Sequence, residues 1–376
     1  MSLIIKPVIP LKKYLKKYVE FGIDLYKGNG YFVPPMIFDE INTLLPEKNP
    51  AFEFCISQSF MAYRDGVPVG RITGIINRRY NDKTGRKVLR FGWVDFIDDA
   101  EVVDALFRAV VIWGKNRGMT EIVGPMGFSD MDHEGMLIEG FEEMGTMATI
   151  YNYPYYRDHM ERMGFVKDAD WIEYRIAVPD SIPEKYQRIA DIVARKFNLR
   201  PYVIPSRQEV KERYGRAIFD LINDAYKDLY GYVALTDRQI DYYIDMYLGL
   251  LRLEDVCLII DENDRLVGVG ISLPSLSQAL RACGGKLFPT GWWKLFRAIR
   301  GHADVVDLLL VAIAPEYQNK GVNALLFSYL IPNYNRNGYR FAESNVELED
   351  NTSVQKQWEY FDYRQHRRRR AWRKDI

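Results

Sequence analysis

The chain predicts an α/β fold built twice: two tandem domains, each a twisted mixed sheet flanked by helices. Three observations carry that prediction. Its 376 residues exceed what one hydrophobic core organises and suggest two domains of roughly 180 residues each. Strand-like runs alternate with amphipathic helical runs, the mark of layered α/β structure. The same order of elements also recurs on either side of Pro179-Asp-Ser-Ile-Pro183, a segment with two prolines and little apolar content. The expected division is therefore 1–178 and 179–376.

In the first half, Leu3 to Ile9 is an extended apolar run. Leu11 to Lys27 places Tyr14, Leu15, Tyr18, Val19 and Ile23 on one helical face, and Pro34-Pro35 breaks the chain. Phe60 to Tyr63 and Val69 to Ile76 flank Asp65-Gly66, a dipeptide suited to a tight hairpin. Val88 to Phe96 is another strand. Ala100 to Asn116 is helical through Val103, Leu106, Phe107, Val110 and Val111, and Arg117-Gly118 stops it. A short strand from Glu121 to Val123 precedes Gly124-Pro125. A helix from Tyr155 to Met163 ends at Gly164-Phe165, and a strand from Trp171 to Val178 closes the half.

After the linker the plan returns. Helices are expected over Glu184–Phe197 and Val210–Tyr226. Strands Val256 to Ile260 and Leu266 to Leu273 flank the turn Asp261-Glu-Asn-Asp264. Then come a strand from Val305 to Ala314, a loop, a helix to Tyr334, a strand from Tyr339 to Val346, a helix from Asn351 to Phe361, and a charged final strand.

Composition excludes several classes. Hydrophobic content of 48% and charged content of 27% describe a globular chain, not a disordered one. Lys+Arg and Asp+Glu balance at 51 each, so no overall field favours nucleic acid. The three cysteines, Cys55, Cys257 and Cys283, have neither CxxC nor metal-ligand spacing, which fits a reduced, cytoplasmic setting with no metal site. Five lysines among the first seventeen residues leave no room for a signal-peptide apolar stretch, and no run approaches ~20 apolar residues.

The most informative segment joins the strand from Val305 to the next helix through Pro315-Glu-Tyr-Gln-Asn-Lys-Gly-Val-Asn323. A strand, turn and helix start in that order aim several backbone N–H groups into one space. They do so at the positive end of the helix dipole, which suits phosphate. This loop resembles the pyrophosphate loop of the GCN5-related N-acetyltransferases (GNAT), Gln/Arg-x-x-Gly-x-Gly/Ala. Gln318 and Gly321 match, and Asn323 departs at the third position. The first half keeps Gly164-Phe165, but its equivalent junction reads Phe96-Ile-Asp-Asp-Ala100. Asp98 and Asp99 would occupy and repel a phosphate there. The resemblance thus implies a degenerate GNAT-like domain followed by one that binds acyl-CoA.

Several further pieces are similar to one bacterial branch of tandem GNAT proteins, the ceramide-synthase-like family. They include Gly124-Pro-Met-Gly-Phe-Ser129, Asp132, Gly135 with Met136-Leu137, and Glu139-Gly-Phe141. Tyr151-Asn152, Pro154-Tyr-Tyr156, Gly231-Tyr-Val-Ala-Leu-Thr236, Glu343 and Leu348-Glu-Asp-Asn351 extend the likeness over most of the chain. The resemblance implies an N-acyltransferase that moves an acyl group from acyl-CoA to a primary amine, with a long-chain (sphingoid) base as the acceptor. It also implies a CoA site made by Val311, Ile313, Gln318, Asn319, Lys320, Gly321, Val322, Asn323 and Asn351.

Acyl transfer from a thioester needs a deprotonated amine and a proton for the departing thiolate. Glu343, inside an apolar strand, is the candidate base, since a carboxylate there is costly unless paired or functional. Solvent exposure, or pairing with an arginine of the last strand, is the competing expectation. The family pattern Asn-x6-Tyr-x3-Gly-Phe puts Trp358 where the acid tyrosine belongs, so the resemblance leaves Tyr360 or Tyr363 to substitute, or the thiolate to depart unaided. Ser129-Asp-Met-Asp-His-Glu-Gly135 gathers Asp130, Asp132, His133 and Glu134 in a loop. Successive ligand types point in different directions, which weighs against zinc. In a tandem architecture the loop is instead expected to close the acceptor pocket of the second domain, with His133 as a proton carrier.

Two basic stretches remain. Gly291 to Arg300 places Trp292, Leu295, Phe296 and Ile299 on one helical face and Trp293, Lys294, Arg297 and Arg300 on the other. That pattern suits a helix touching the anionic inner face of a membrane, or one packed on the protein's own core. The tail around Arg367-Arg-Arg-Arg370 reads as a strand whose alternate side chains meet carboxylates or phosphates. Trp358 and Asn323 keep open a non-catalytic acyl-CoA-binding protein. Peptides, aminoacyl-tRNA and small amines are the other acceptors the architecture allows.

Overall fold

The computed structural model describes residues 2–376. Its strands in the first half are β1 (Leu3–Pro7), β2 (Cys55–Arg64), β3 (Val67–Asn77), β4 (Val88–Phe96), β5 (Glu121–Gly124), β6 (Met136–Glu139) and β7 (Val166–Ala177). The second half adds β8 (Arg200–Tyr202), β9 (Val256–Ile260), β10 (Leu266–Pro274), β11 (Val305–Ile313), β12 (Phe341–Ser344), β13 (Glu347–Leu348) and β14 (Tyr363–Asp375).

The sequence suggests a contiguous division at 178/179; the compact units are interleaved instead. One takes the chain up to Trp171, Ser277–Lys294 and Arg367–Ile376, and the other takes Ile172–Leu276 and Leu295–His366. Local contacts explain the two excursions into the first unit. Ser277 Oγ donates to the Gly145 carbonyl at 3.0 Å, and the Ile37 N–H reaches the Gly285 carbonyl at 3.0 Å. The end of β14 pairs antiparallel with β5, from Trp372 opposite Gly124 to Asp375 opposite Glu121.

In the first unit, β1 to β4 are antiparallel neighbours and β5 joins β4 in parallel. Asp65 and Gly66 both have positive φ (50° and 86°), as the tight β2–β3 hairpin requires. Helix Ala100–Lys115 buries Val103, Leu106, Phe107 and Val110 against Ile72, Leu89 and Phe91 of the sheet. Each such side chain contributes about 1.5–3 kcal/mol by leaving water. The opposite face is covered by helices Lys12–Asp24 and Ile37–Leu44 through Leu15, Tyr18, Ile41 and Leu44.

The charged strand β14 is buried at its basic end, with Arg367 and Arg369 excluded from solvent. Arg370 grips Asp170 with two hydrogen bonds of 2.7 and 2.9 Å, and Arg368 reaches the same carboxylate at 3.2 Å. Arg367 and Arg369 donate to the carbonyls of Met144 and Ile150. A strand was expected here. Its arginines meet the carboxylates of Asp170, Glu139 and Asp168 as well as backbone carbonyls.

In the second unit β11 pairs with β12 in parallel from Val305–Phe341 to Leu308–Ser344, and on its other side with β10 antiparallel. Among the described residues β12 pairing ends at Leu308; Asn345 still reaches the Leu308 and Leu309 carbonyls at 3.1 and 3.0 Å, and β11 runs on to Ile313 without it. Helices Glu184–Phe197 and Asn323–Asn337 bury Val193, Leu326 and Leu330 in the core that Leu258 of β9 shares. Asn198 and Gly338, both at positive φ, end these helices.

Two expected helices are reshaped. Val210–Tyr226 divides into a wide turn (Val210–Tyr214) and a helix from Gly215 to Tyr226. The helix expected from Asn351 is one turn, Thr352–Gln355, followed by a tighter 3₁₀ turn at Lys356–Tyr360. That tightening turns Trp358 inward, where it packs on Phe327 with ring centres 5.7 Å apart.

Candidate functional site

In the second unit, β11 leads into a 3₁₀ turn (Pro315–Tyr317), then extended Gln318, then Asn319 and Gly321 at φ 58° and 81°. Gln318 Nε2 donates to the Ile313 carbonyl at 3.1 Å and ties the loop to the strand end. The N–H groups of Gln318 and Lys320 reach the carbonyls of Pro315 and Tyr317. Among the described residues, those of Asn319, Gly321, Val322 and Asn323 meet no backbone acceptor. They stand at the start of the fifteen-residue helix Asn323–Asn337. Four donors at the positive end of a helix form an anion cradle. Glycine is needed at 321 twice over: its φ is positive, and a Cβ would lie 2.9 Å from Ile189 Cγ2.

The other expected CoA contacts surround this loop unevenly. Val311 is partly exposed at the open stretch of β11, and its carbonyl accepts from the Tyr226 hydroxyl at 2.7 Å. Asn351 opens the Thr352–Gln355 turn, and its contacts there are with Leu348, Ser353 and Gln355.

Glu343 is buried and doubly paired: Arg175 Nη1 donates to Oε1 at 2.7 Å, and His366 Nε2 lies 2.9 Å from Oε2. An arginine partner from the last strand was the competing expectation. The arginine comes from β7, and the last strand supplies His366. Tyr360 lies at the surface, where Lys185 Nζ donates to its hydroxyl at 2.7 Å and sits 4.2 Å from its ring centre.

Sequence reasoning missed Glu347. Trp358 Nε1 donates to its Oε1 at 3.0 Å. Burial pushes this carboxyl up to about 8, with the Trp358 and Ser344 hydrogen bonds pulling the other way. A carboxyl raised to about 8 thus stands beside Trp358. The only sequence signal was that unusual tryptophan.

The first unit's equivalent junction is filled by its own carboxylates. Asp99 Oδ1 accepts from the N–H groups of Glu101 (3.0 Å) and Val102 (3.2 Å), and Arg64 bonds the same carboxylate. Asp98 pairs with His159 at 2.8 Å. The donors a phosphate would use at this helix start are already engaged.

His133 lines a cavity within the first unit, together with Glu40, Arg71, Trp93 and Asp95. Its Nε2 meets the Met147 carbonyl at 2.9 Å, and its Nδ1 lies 3.9 Å from Glu40 Oε1. Asp132 Oδ2 accepts from the N–H groups of Phe128 (2.7 Å) and Ser129 (3.1 Å), so it fastens the loop that carries His133. Among the described residues, no group of three His, Cys, Asp or Glu side chains is placed to hold a metal.

Helix Gly291–Arg300 departs from its expected facing. Leu295 is buried, while Trp292, Trp293 and Phe296 are 51%, 48% and 43% exposed. The loop residue Phe288 just before the helix is 80% exposed. The outward side therefore carries both tryptophans, with Arg297 and Arg300 also exposed. No helix among the described residues is long and apolar enough to cross a membrane.

The chain has the fold of tandem GNAT proteins. A tandem GNAT protein from the clavulanic acid biosynthesis pathway matches all of this chain and 98% of its own, with TM-score 0.59 at 12% identity. A GCN5-related N-acetyltransferase from Sphaerobacter thermophilus matches 99% of this chain and 95% of its own, with TM-score 0.52 at 11% identity. In sequence, the chain is 28% identical to Protein YghO of Escherichia coli over 371 residues, 97% of this chain and 94% of that protein. It is also 29% identical to a protein of Caulobacter vibrioides named bacterial ceramide synthase over 299 residues, 77% of this chain and 75% of that one. No family model matches the chain.

Proposed function

We propose that the chain is an acyl-CoA-dependent N-acyltransferase whose acceptor is the primary amine of a long-chain (sphingoid) base. The carrying observation is the Gln318–Asn323 loop, with its donors at a helix start beside the open stretch of β11. The CoA diphosphate takes those N–H groups, and the pantetheine arm runs along the backbone from Val311 to Ile313. Glu343 receives the ammonium proton, directly or through water, with His366 beside it. The freed amine attacks the thioester carbonyl, the C–S bond breaks, Glu347 gives its proton to the thiolate, and the second proton the nitrogen sheds in becoming an amide returns to Glu347 through water. In this scheme Glu347, and not Tyr360, supplies the acid. A base is required because an alkylammonium titrates well above neutrality.

The long-chain acceptor is supported by similarity to the protein named bacterial ceramide synthase. The exposed aromatics and cations of helix Gly291–Arg300 add support, since they suit peripheral contact with anionic lipid. The test is purified protein with acyl-CoA and either a sphingoid base or a soluble amine, read as amide product. Amide from the lipid base supports the reading. Acylation of soluble amines or peptides alone refutes the acceptor. No amide with any acceptor favours an acyl-CoA-binding protein, the role to which Trp358 and Asn323 point.

A further inference from the structure

The first unit holds a cavity of about 790 Å³, its open mouth included, that nothing above assigns a ligand. Tyr26, Phe32, Trp93 and Tyr151 give it aromatic walls, and Ile23 and Val33 add aliphatic surface. Its charges do not cancel. Arg71 is committed to Asp95 through contacts of 2.6 and 2.7 Å and also donates to the Tyr18 carbonyl. Asp95 is filled further by the Tyr26 hydroxyl at 2.7 Å. Glu40 remains as surplus negative charge, with His133 beside it.

The geometry between those two residues is specific. Glu40 Oε2 accepts from Trp93 Nε1 at 2.5 Å, which fixes the carboxylate. His133 Nε2 faces the Met147 carbonyl at 2.9 Å, so that nitrogen carries the hydrogen and Nδ1 is an acceptor in the neutral ring. Glu40 Oε1 and His133 Nδ1 are then two acceptors 3.9 Å apart, outside mutual hydrogen-bond reach. One donor nitrogen placed between them can make hydrogen bonds of ordinary length to both. An ammonium supplies two such N–H groups, satisfies the surplus charge, and is favoured by aromatic faces.

We propose that this cavity binds a primary ammonium carrying an apolar body, its N–H groups bridging Glu40 Oε1 and His133 Nδ1. Resting on the acyltransferase reading, the occupant is an amine of the acceptor's chemical class, held here at a second site and not at Glu343. The aromatic and aliphatic walls take its chain, and the carboxylate rejects an equally long alcohol.

The experiment titrates the full chain, without CoA, with decylamine and with 1-decanol, following intrinsic tryptophan fluorescence. The amine should bind at least tenfold more tightly than the alcohol, and Glu40→Gln should erase that preference. Crystals soaked with a bromoalkylamine give a readout that requires no variant, with bromine expected in this cavity. Equal affinity for amine and alcohol, a preference that survives Glu40→Gln, or bromine elsewhere overturns the site. Amine bound here by a protein that forms no amide keeps the site and overturns the acyltransferase reading. Amide formation without binding in this cavity does the reverse.

Discussion

Replacing Glu347 with glutamine probes the buried acid directly. Its carboxyl lies at about 8 in the folded chain, against an ordinary value of 4.5. Between those values the native state keeps a proton that the unfolded chain has released. Its contribution to stability is therefore complete below the ordinary value and is lost as pH rises through about 8. Linkage sets the slope at about 1.4 kcal/mol per pH unit within that window. Glutamine mimics the protonated form and still offers an oxygen to the Trp358 indole N–H, so the variant lacks the slope. Urea unfolding at pH 5.5, 6.5 and 7.5 is the assay. Other buried carboxyls pushed up to about 6, such as Asp39 and Asp255, act in both proteins and cancel in the difference. The variant should gain on wild type by roughly 2 kcal/mol or more from pH 5.5 to 7.5. Parallel stability curves would refute the raised carboxyl and the acid role built on it.

Gly321→Val should weaken CoA at least tenfold, about 1.4 kcal/mol, because a β-branched residue resists φ 81° and strikes Ile189. Calorimetry on the folded fraction reads this, and unchanged affinity rejects the loop. Asp170→Asn leaves the half-buried Arg368 and Arg370 short of their shared, buried carboxylate, and should cost about 1.5–3 kcal/mol in urea unfolding. A loss under 1 kcal/mol would place that pair among the weak surface kind. Changing Trp292 and Phe296 together to Asp should abolish flotation with anionic liposomes, whereas an unchanged bound fraction would show that the helix does not dock.

Regular elements were legible where apolar periodicity ran long and an end signal closed it. Val88–Phe96, Val256–Ile260 and Glu184–Phe197 have the expected bounds. β6, β8 and β13 were not legible, because two to four residues carry no period. The Gln318–Gly321 loop could be read because its parts are adjacent in sequence and its glycine obeys backbone sterics. The cavity of the first unit could not. Glu40, Arg71, Asp95 and His133 come from separate elements, and only the fold gathers them. Glu343 marks an intermediate case. Its burial was foreseeable from an apolar strand, while Arg175 and His366 became its partners through strand order.

The central claim is that CoA phosphates seat on the second unit's loop and not on the first unit's equivalent junction. Amide hydrogen exchange with and without CoA tests it most directly. Slowed exchange at Asn319, Gly321, Val322 and Asn323, with Glu101 and Val102 unchanged, is the predicted result. CoA-dependent protection at Glu101 and Val102, or none at Asn319 to Asn323 under saturating CoA, would contradict the account.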